Sequence, residues 1–422
     1  MPENRKIFWL ILIMGFLSWK AYSQHFTEVE FDRHALNAKT QADSLYQIVT
    51  EYPATGIVLH FQTNDDPEGS FIIVKTDTFY FHPDEDATAA EQMTYSNLFT
   101  FPVPIDTFLF YPGNLKQPVS FVYIDSRLPE EKESLPAKKK SGDCSEPEMI
   151  DQSVWREGLE DPDYERIPNV VHNIIIHHSD GSNTDTNYIQ VIRSIYIYHT
   201  EIRRWSDIAY NYLIAQDGTI FKGRDPGELE QDNVLGAHFC GSNTGTMGIC
   251  VLGDYMEVSP PDTAIQSLID LVTWKLGKDN LDPLGTYPHP LNSELPVIAG
   301  HRDGCATLCP GDSLYDEFPG IRLEVMEAFD LCGYSVNSIE IQENQDNEPS
   351  ISVSENEIII FHPDFQIENI GLSDLQGKKY TIVPVTNLND TLRIPIQNLN
   401  PGIYILTFYS SLSSLSYKIM IP

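Results

Sequence analysis

The stretch "VVHNIIIHHSDG" (170–181) closes an apolar run on two adjacent histidines, His177 and His178. Further on, "LPVIAGHRDGCATLCPGD" ends a second short apolar run at His301 and carries Cys309 eight residues later, just before Pro310. Neutral imidazole and thiolate are the ligands zinc prefers, and three protein ligands leave the fourth tetrahedral position for water. A His, His, Cys set is therefore a catalytic rather than a closed structural arrangement. Side chains alternate between faces along a strand, so Ile175 and His177 point one way and Ile176 and His178 the other. At most one of the adjacent pair can face a common metal while the strand persists. Two other readings stay open at this level. A histidine at a strand end is commonly just hydrogen-bonded, and Cys309 can equally be half of a disulfide with Cys305 or Cys332.

The elements that must position these residues are legible in outline. "VVHNIII" reads as a buried strand. In "NTDTNYIQVIRSIYIYHTEIRRW" apolar residues recur at Ile189, Ile192 and Tyr196 and at Tyr188, Val191, Ile195, Tyr198 and Ile202. That is helical spacing with a broad apolar face, and Thr184, Asp185 and Thr186 offer N-caps. "YNYLIAQDGTIFKGR" holds two strand-like runs joined through Asp217-Gly218, a strong hairpin signal. "TMGICVLGDY" reads as another buried strand and "DTAIQSLIDLVTWKLG" as an amphipathic helix. Strands and helices alternate, so the class is α/β.

Around this module the composition changes. Residues 24–129 carry short β-branched and aromatic runs such as "TGIVLHFQT", "SFIIVKTDTFYFH" and "VSFVYIDS", broken by Pro, Asp and Asn clusters, which are strand and turn signals. They predict a mostly β domain in which His60 and His82 are ordinary strand residues. "PEEKESLPAKKKSGD" has the charge and proline content of a solvated linker, placed at 130–144, and "NSIEIQENQDNEPS" marks a second at 336–350. From 351 to 422, alternating strands divided by Asn, Gly and Pro predict a small β-sandwich. The expected fold is thus α/β: a central domain, 145–335, of mixed β-sheet flanked by helices, an N-terminal mostly β domain and a C-terminal small β-sandwich.

The chain has 422 residues and a formal charge of −34, from 61 acidic and 27 basic side chains. Such a field repels nucleic acid phosphates and anionic lipid surfaces, so nucleic acid is excluded as a partner. Arg5 and Lys6 precede the apolar stretch Ile7 to Trp19, and the small residues Ala21 and Ser23 follow. This is the pattern of a signal peptide over 1–23, cleaved before Gln24. A retained anchor is the rival reading, but a span needs about 20 apolar residues and this run stops at Lys20. The expectation is a secreted or cell-surface protein without a stable transmembrane anchor. Six cysteines in an exported chain suggest disulfides; if one ligates a metal, five remain and at least one lacks an intramolecular partner.

Four separated motifs carry a resemblance: "IIIHHS", "RRWSDIAYNYLIAQDGTIFKGRD", "VLGAHFCGSNTGTMGICVLGDY" and "IAGHRDGCATLCPGD". In this order they resemble the zinc-dependent N-acetylmuramoyl-L-alanine amidases, the family that includes the peptidoglycan recognition proteins and a bacteriophage amidase lysozyme. The resemblance covers roughly Ser145 to Leu331. It implies a zinc ion held by His177, His301 and Cys309, with His178 a strand residue on the other face or a neighbour of the site. It implies that Tyr210 lies beside the metal-bound water and that Thr307 matches the threonine of recognition-protein amidases. It places His238 and Asn243 along the substrate groove, and Arg224 either against a stem-peptide carboxylate or fixing the hairpin. His199 matches a structural helix histidine, Asp303 and His172 carry no role, and Ala209 stands where the family usually has glycine. "SGDCSEPEMIDQSVW" resembles the entry to the module in secreted relatives, which would tie Cys144 to Cys305 or Cys332; Cys250, in a buried strand, is expected to stay reduced.

The implied reaction is hydrolysis of the amide between the lactyl group of N-acetylmuramic acid and L-alanine in peptidoglycan or muropeptides. Zinc lowers the pKa of its water to about 7 and polarises the scissile carbonyl, while Tyr210 and Thr307 donate hydrogen bonds to the water or the developing oxyanion. The alternative is a recognition protein that binds wall fragments without cutting them; that branch typically lacks the cysteine ligand. A third reading makes this module a wall tether for an active N-terminal domain. The last module, through "IGLSDLQGKKY", "LNPGIYIL" and "YKIMIP", resembles the sorting domain of the type IX secretion system, which would make that machinery a partner. It departs from the pattern in having "HPDF" for the usual opening Pro-Asn-Pro, and an ordinary carbohydrate-binding sandwich is its rival.

Overall fold

The structure is a computed structural model; it describes residues 25–31, 45–84, 93–115, 119–129 and 144–334, and the strands with short flanking stretches between 350 and 421. The signal peptide expected at 1–23 lies outside the described residues, as do nearly all of both expected linkers. No helix among the described residues is long and apolar enough to cross a membrane.

The N-terminal region forms a seven-stranded antiparallel sheet from β1 (Phe26–Phe31), β2 (Tyr46–Gln62), β3 (Phe71–Val74), β4 (Asp77–Tyr80), β5 (Met93–Tyr95), β6 (Phe99–Tyr111) and β7 (Val119–Ile124). The order is β1-β7-β2-β6-β3-β4, with β5 beside β2. The run "SFIIVKTDTFYFH" is a hairpin of two strands rather than one strand, turned at Lys75 in the left-handed region (φ 56°). Period-two alternation splits this sheet between two cores. Ile57, Leu59, Phe61, Phe121 and Tyr123 face an aromatic cluster, in which Phe110 and Phe121 meet edge to face at 4.8 Å. Val58, Val122 and Ile124 face the other way, into the core of the central module.

That central module has a six-stranded sheet: β8 (Met149–Ile150), β9 (Asn173–His178), β10 (Tyr212–Ile214), β11 (Ile220–Lys222), β12 (Thr246–Val251) and β13 (Ile298–Gly300), in the order β13-β9-β12-β10-β11-β8. Only β10 and β11 are antiparallel, joined through Asp217-Gly218 with Gly218 at φ 85°; the other pairs are parallel. All six residues of β9 are buried, as expected of a strand covered on both faces. The helices are α1 (Gln152–Trp155), α2 (Tyr188–Ile197), α3 (Asp262–Asp279), α4 (Asp312–Asp316) and α5 (Phe318–Leu331). The N-cap of α2 is Asn187, three residues beyond Thr184, because Asp185 instead accepts from the Asn187 N–H and shapes the entry turn.

The breadth of the apolar face of α2 now has a cause. Nine of its ten residues are buried, since Val58, Leu98, Val122 and Ile124 of the N-terminal region pack on it together with central-module residues. Polar contacts fix the docking. Arg193, 1 % exposed, donates to the carbonyls of Ser126, Arg127, Trp155 and Glu157. Gln190 donates to the Phe101 carbonyl, and the Ser194 hydroxyl to that of Ser126. Desolvation draws the pKa of Arg193 down to about 10, which still leaves it charged at neutral pH. The two sequence modules flanking 130–144 therefore share one core. His60 stacks on Tyr95 within the N-terminal sheet, whereas His82 lies just beyond β4 and bonds Asp180 of the central module at 2.8 Å.

The C-terminal region has two four-stranded sheets. One runs β14 (Ser350–Val353), β15 (Glu357–Phe361), β19 (Thr391–Pro395), β18 (Val385–Leu388); the other runs β17 (Lys379–Tyr380), β16 (Asn369–Asp374), β20 (Gly402–Tyr409), β21 (Ser414–Ile421). Ile358, Ile360 and Ile394 of the first meet Leu372, Leu406 and Ile419 of the second in one core, the sandwich arrangement.

Replacing Arg193 by Leu strands four carbonyls, two of them at buried contacts, each formerly bonded to a charged donor. We expect a loss of about 3 kcal/mol or more in unfolding free energy. In urea, tyrosine signals of the N-terminal sheet and tryptophan signals of the central module should shift to lower midpoint together; separate transitions would show that the two do not share a core.

Candidate functional site

The β13 strand pairs in parallel with β9, Gly300 opposite Ile176, so His301 emerges beside His177 at the same edge of the sheet. Their rings lie 4.5 Å apart. A one-turn 3-10 helix at His301–Asp303 then turns the chain, held by Asp303, whose carboxylate accepts from the Gly300 N–H and from the Tyr315 hydroxyl. The loop returns Cys309 so that its Sγ sits 3.7 Å from His177 Nδ1. Two N–H groups fix that loop: Cys309 N–H donates to Thr307 Oγ1, and Arg302 N–H to the Cys309 carbonyl. The thiol also accepts from the His178 N–H.

One donor atom each from His177, His301 and Cys309 lies within 4.8 Å of the others, and all three residues are buried. A tetrahedral ion with bonds of about 2.1 Å to nitrogen and 2.3 Å to sulfur would separate those ligands by about 3.6 Å, close to the observed nitrogen–sulfur distance. Burial keeps both imidazoles in the neutral form that ligation needs. Desolvation, aided by the neighbouring histidines, holds His177 well below its ordinary value, and desolvation lowers His301 to about 4. Cys309 is a free thiol, so the alternative of a disulfide to Cys305 or Cys332 is not the one realised. Cys305 is bonded to Cys240, which also removes it as a partner for Cys144; Cys250 is free.

Behind His177 runs a chain of imidazole and hydroxyl. His177 Nε2 is 3.0 Å from His238 Nδ1, His238 Nε2 is 3.4 Å from Thr246 Oγ1, and that hydroxyl donates to the Asn243 carbonyl. With Nδ1 of His177 free for a metal, Nε2–H donates backward; such outer bonds set ring orientation and ligand basicity. His238 is 1 % exposed, placed behind the ligand rather than along an open groove. Two glycines make room for it: a Cβ at Gly236 or Gly248 would stand 2.5 or 2.6 Å from its ring. Asn243 also turns inward, its Oδ1 accepting from the N–H groups of His238 and Phe239. Arg224, 5 % exposed, bonds the Ile208 carbonyl and the Ser206 hydroxyl and covers the Tyr164 ring, contacts that brace the hairpin.

Tyr210 lies with its ring 5.1 Å from that of His177 and shares a hydrogen bond with the thiol of Cys250, the residue opposite His177 across β9 and β12. His199 accepts from the Ala209 N–H and so steadies the approach to Tyr210; His172 stacks on Tyr287 away from the ligands. His301 and Cys309 also line an open cleft, bounded on the same side by His178 and Tyr210. Its other side includes Asp84, Asn97 and Leu98 of the N-terminal sheet region. Sequence reasoning missed these three because no motif marks them.

The N-acetylmuramoyl-L-alanine amidase family matches residues 167–312. Peptidoglycan recognition protein 1 of Bos taurus is 32 % identical over 154 residues, covering 36 % of this chain and 72 % of its own. Peptidoglycan-recognition protein SC2 of Drosophila melanogaster is 28 % identical over 171 residues, covering 40 % of this chain and 83 % of its own. Among solved structures, N-acetylmuramoyl-L-alanine amidase LysC from Clostridium intestinale aligns with a TM-score of 0.31 at 24 % identity, over 41 % of this chain and 96 % of its own.

Two outcomes follow from this geometry. Replacing His238 by Ala removes the acceptor behind His177 and should weaken binding of a divalent metal about 10–100-fold, read by competition with a chromophoric chelator; unchanged affinity would make the 3.0 Å contact incidental. Desolvation lowers His178, His199 and His238 each to about 3. Below pH 6.5 the unfolded chain therefore binds more protons than the folded one. Metal-free protein should lose about 1.4 kcal/mol per pH unit for each of these rings as pH falls from 6.5 to 5. A flat urea-unfolding free energy across that window would show that they titrate as hydrated groups.

Proposed function

This chain belongs to the N-acetylmuramoyl-L-alanine amidase and peptidoglycan recognition protein family, and from that membership we propose that it is a zinc-dependent amidase acting on peptidoglycan. The bond cut is the amide between the lactyl group of N-acetylmuramic acid and L-alanine. The observation that carries the reading is Cys309: a free, buried thiol 3.7 Å from His177 Nδ1, completing a three-ligand set with His301. When bound, zinc supplies a water that is nucleophilic near neutral pH and a Lewis acid for the carbonyl.

The chain's own groups do the rest. His177, His301 and Cys309 hold the ion, His238 fixes the orientation of His177, and His199 and Cys250 place Tyr210. Tyr210 and Thr307 are the donors to the oxyanion that develops on the lactyl carbonyl, where fixed donors do most for the rate. What supports the role of Thr307 is its closeness to Cys309, whose N–H donates to its Oγ1. The signal-like segment and the resemblance of the C-terminal sandwich to a sorting domain support export through the type IX machinery to the cell surface or beyond. Mass spectrometry of the mature C-terminus tests that part: removal of the sandwich supports it, and an intact chain end with carbohydrate binding counts against it.

The expected result of metal analysis is one zinc per chain, with purified muropeptides cut to free the peptide. Cys309→Ala should abolish the cut by at least about 10³-fold while muropeptide still binds. Tyr210→Phe should lower kcat about 10²-fold with metal content unchanged. Muropeptide bound but left whole by the wild-type protein would establish the recognition reading instead.

A further inference from the structure

The loop that returns Cys309 is held from outside as well as from within. Cys305, four residues before Cys309, is bridged to Cys240, 65 positions away in sequence. Beside it, Gly304 packs so closely on the Phe239 ring that a Cβ there would come within 2.4 Å. The N–H groups of Phe239 and His238 are fixed in turn by Asn243 Oδ1, and His238 stands behind His177 at 3.0 Å. A closed circuit results, from His177 through His238 to Cys240, across the two sulfurs to Cys305, and along the loop to His301 and Cys309. The bridge is the link in that circuit that a reductant can open.

It also touches a candidate ligand directly. Cys240 Sγ lies 3.8 Å from His301 Nε2, and the two sulfurs and one nitrogen of His301 fall within 4.8 Å of one another. Access sets this pair apart from the other sulfurs near the site. Cys240 is exposed and Cys305 half-buried, whereas Cys309 is 3 % and Cys250 0 % exposed. Exposed bridges are, as a class, more readily reduced than buried ones. Cys240 is held in the left-handed region, at φ 49°, which residues with side chains rarely adopt. Opening the bridge therefore frees a backbone kept against its preference.

We propose that the Cys240–Cys305 bridge is a redox latch on the metal-binding set: closed, it holds His301 and the Cys309 loop against His177, and its reduction lowers the affinity for the ion. This rests on the reading of His177, His301 and Cys309 as ligands and adds a means of regulating them. The step is a two-electron exchange with a dithiol. The S–S bond breaks, both thiol hydrogens of the dithiol pass to Cys240 and Cys305, and the dithiol closes into its own disulfide. Cys309 takes no part and keeps its sulfur for the ion. Groups that orient metal ligands from outside shift affinity about 10–100-fold, and the latch acts through that same pre-positioning.

The test uses the full chain, with zinc dissociation constants measured by competition with a chromophoric chelator. A phosphine serves as the reductant, since dithiols bind zinc themselves; it takes an oxygen from water as the bridge gains two hydrogens. Oxidised wild type should bind one zinc, and the reduced chain should bind it about tenfold or more weakly, with reoxidation restoring the first value. Cys144 and Cys332 are also disulfide-bonded, so the phosphine acts on them too. Cys240→Ser/Cys305→Ser separates the two effects: it should bind as weakly as reduced wild type and should not respond to the phosphine. Near-UV circular dichroism checks that the fold persists, and where the double variant does not fold, the reduction and reoxidation cycle of wild type decides. Equal affinity of oxidised and reduced wild type overturns the latch, as does a loss in the double variant on adding phosphine as large as that in wild type. Uptake of a second zinc by reduced wild type also overturns it, because the freed sulfurs would then be ligands themselves. An oxidised chain that binds no zinc overturns the metal reading, and the latch with it.

Discussion

Three candidate donor atoms from distant parts of the sequence meet in a buried cluster, and the parallel pairing of β13 on β9 is what makes that possible. Two strand ends that leave the sheet side by side bring His177 and His301 together without a dedicated loop for either. The third donor, Cys309, needs one short return of chain, and the 3-10 turn braced by Asp303 supplies it. Parallel strands demand burial on both faces. The same demand strips water from the imidazoles and keeps them neutral, so the fold prepares protonation state and geometry with one device.

Much of this was legible in the sequence. The strand run to His178, the Asp217-Gly218 hairpin and the helix beginning at Asp262 follow from periodicity and turn chemistry, because each is decided by neighbours in the chain. Alternation along β9 puts His177 and His178 on opposite faces; His177 groups with His301 and Cys309, while His178, at the strand end, lines the cleft beside those two. What could not be read is whatever depends on partners far away. His238 and Asn243 look like groove residues from motif alone, yet their side chains turn inward, since an imidazole behind His177 needs an acceptor chain that local sequence does not reveal. Arg224 is similarly occupied by Ile208 and Ser206.

The apolar breadth of α2 is the most instructive case. Spacing showed a helix with a broad apolar face, and the structure supplies the reason: a second surface lies against it. Val58, Val122 and Ile124 are that surface, on strands whose opposite faces already serve a separate aromatic core. A linker between modules in sequence therefore says nothing about independence in space. What joins them is a buried guanidinium holding four carbonyls drawn from both regions.

The bridge between Cys240 and Cys305 bears on which sulfurs Cys309 could meet during folding. A nucleophilic sulfur four positions from Cys305 is exposed to mispairing during oxidative folding, and a wrong crosslink there would destroy the ligand set. Committing Cys305 to a distant loop takes the nearest competitor out of circulation, and sinking Cys309 into the protein interior shields it from the rest. With Cys305 committed to Cys240, the sulfur nearest in sequence to Cys309 is no longer available to crosslink it.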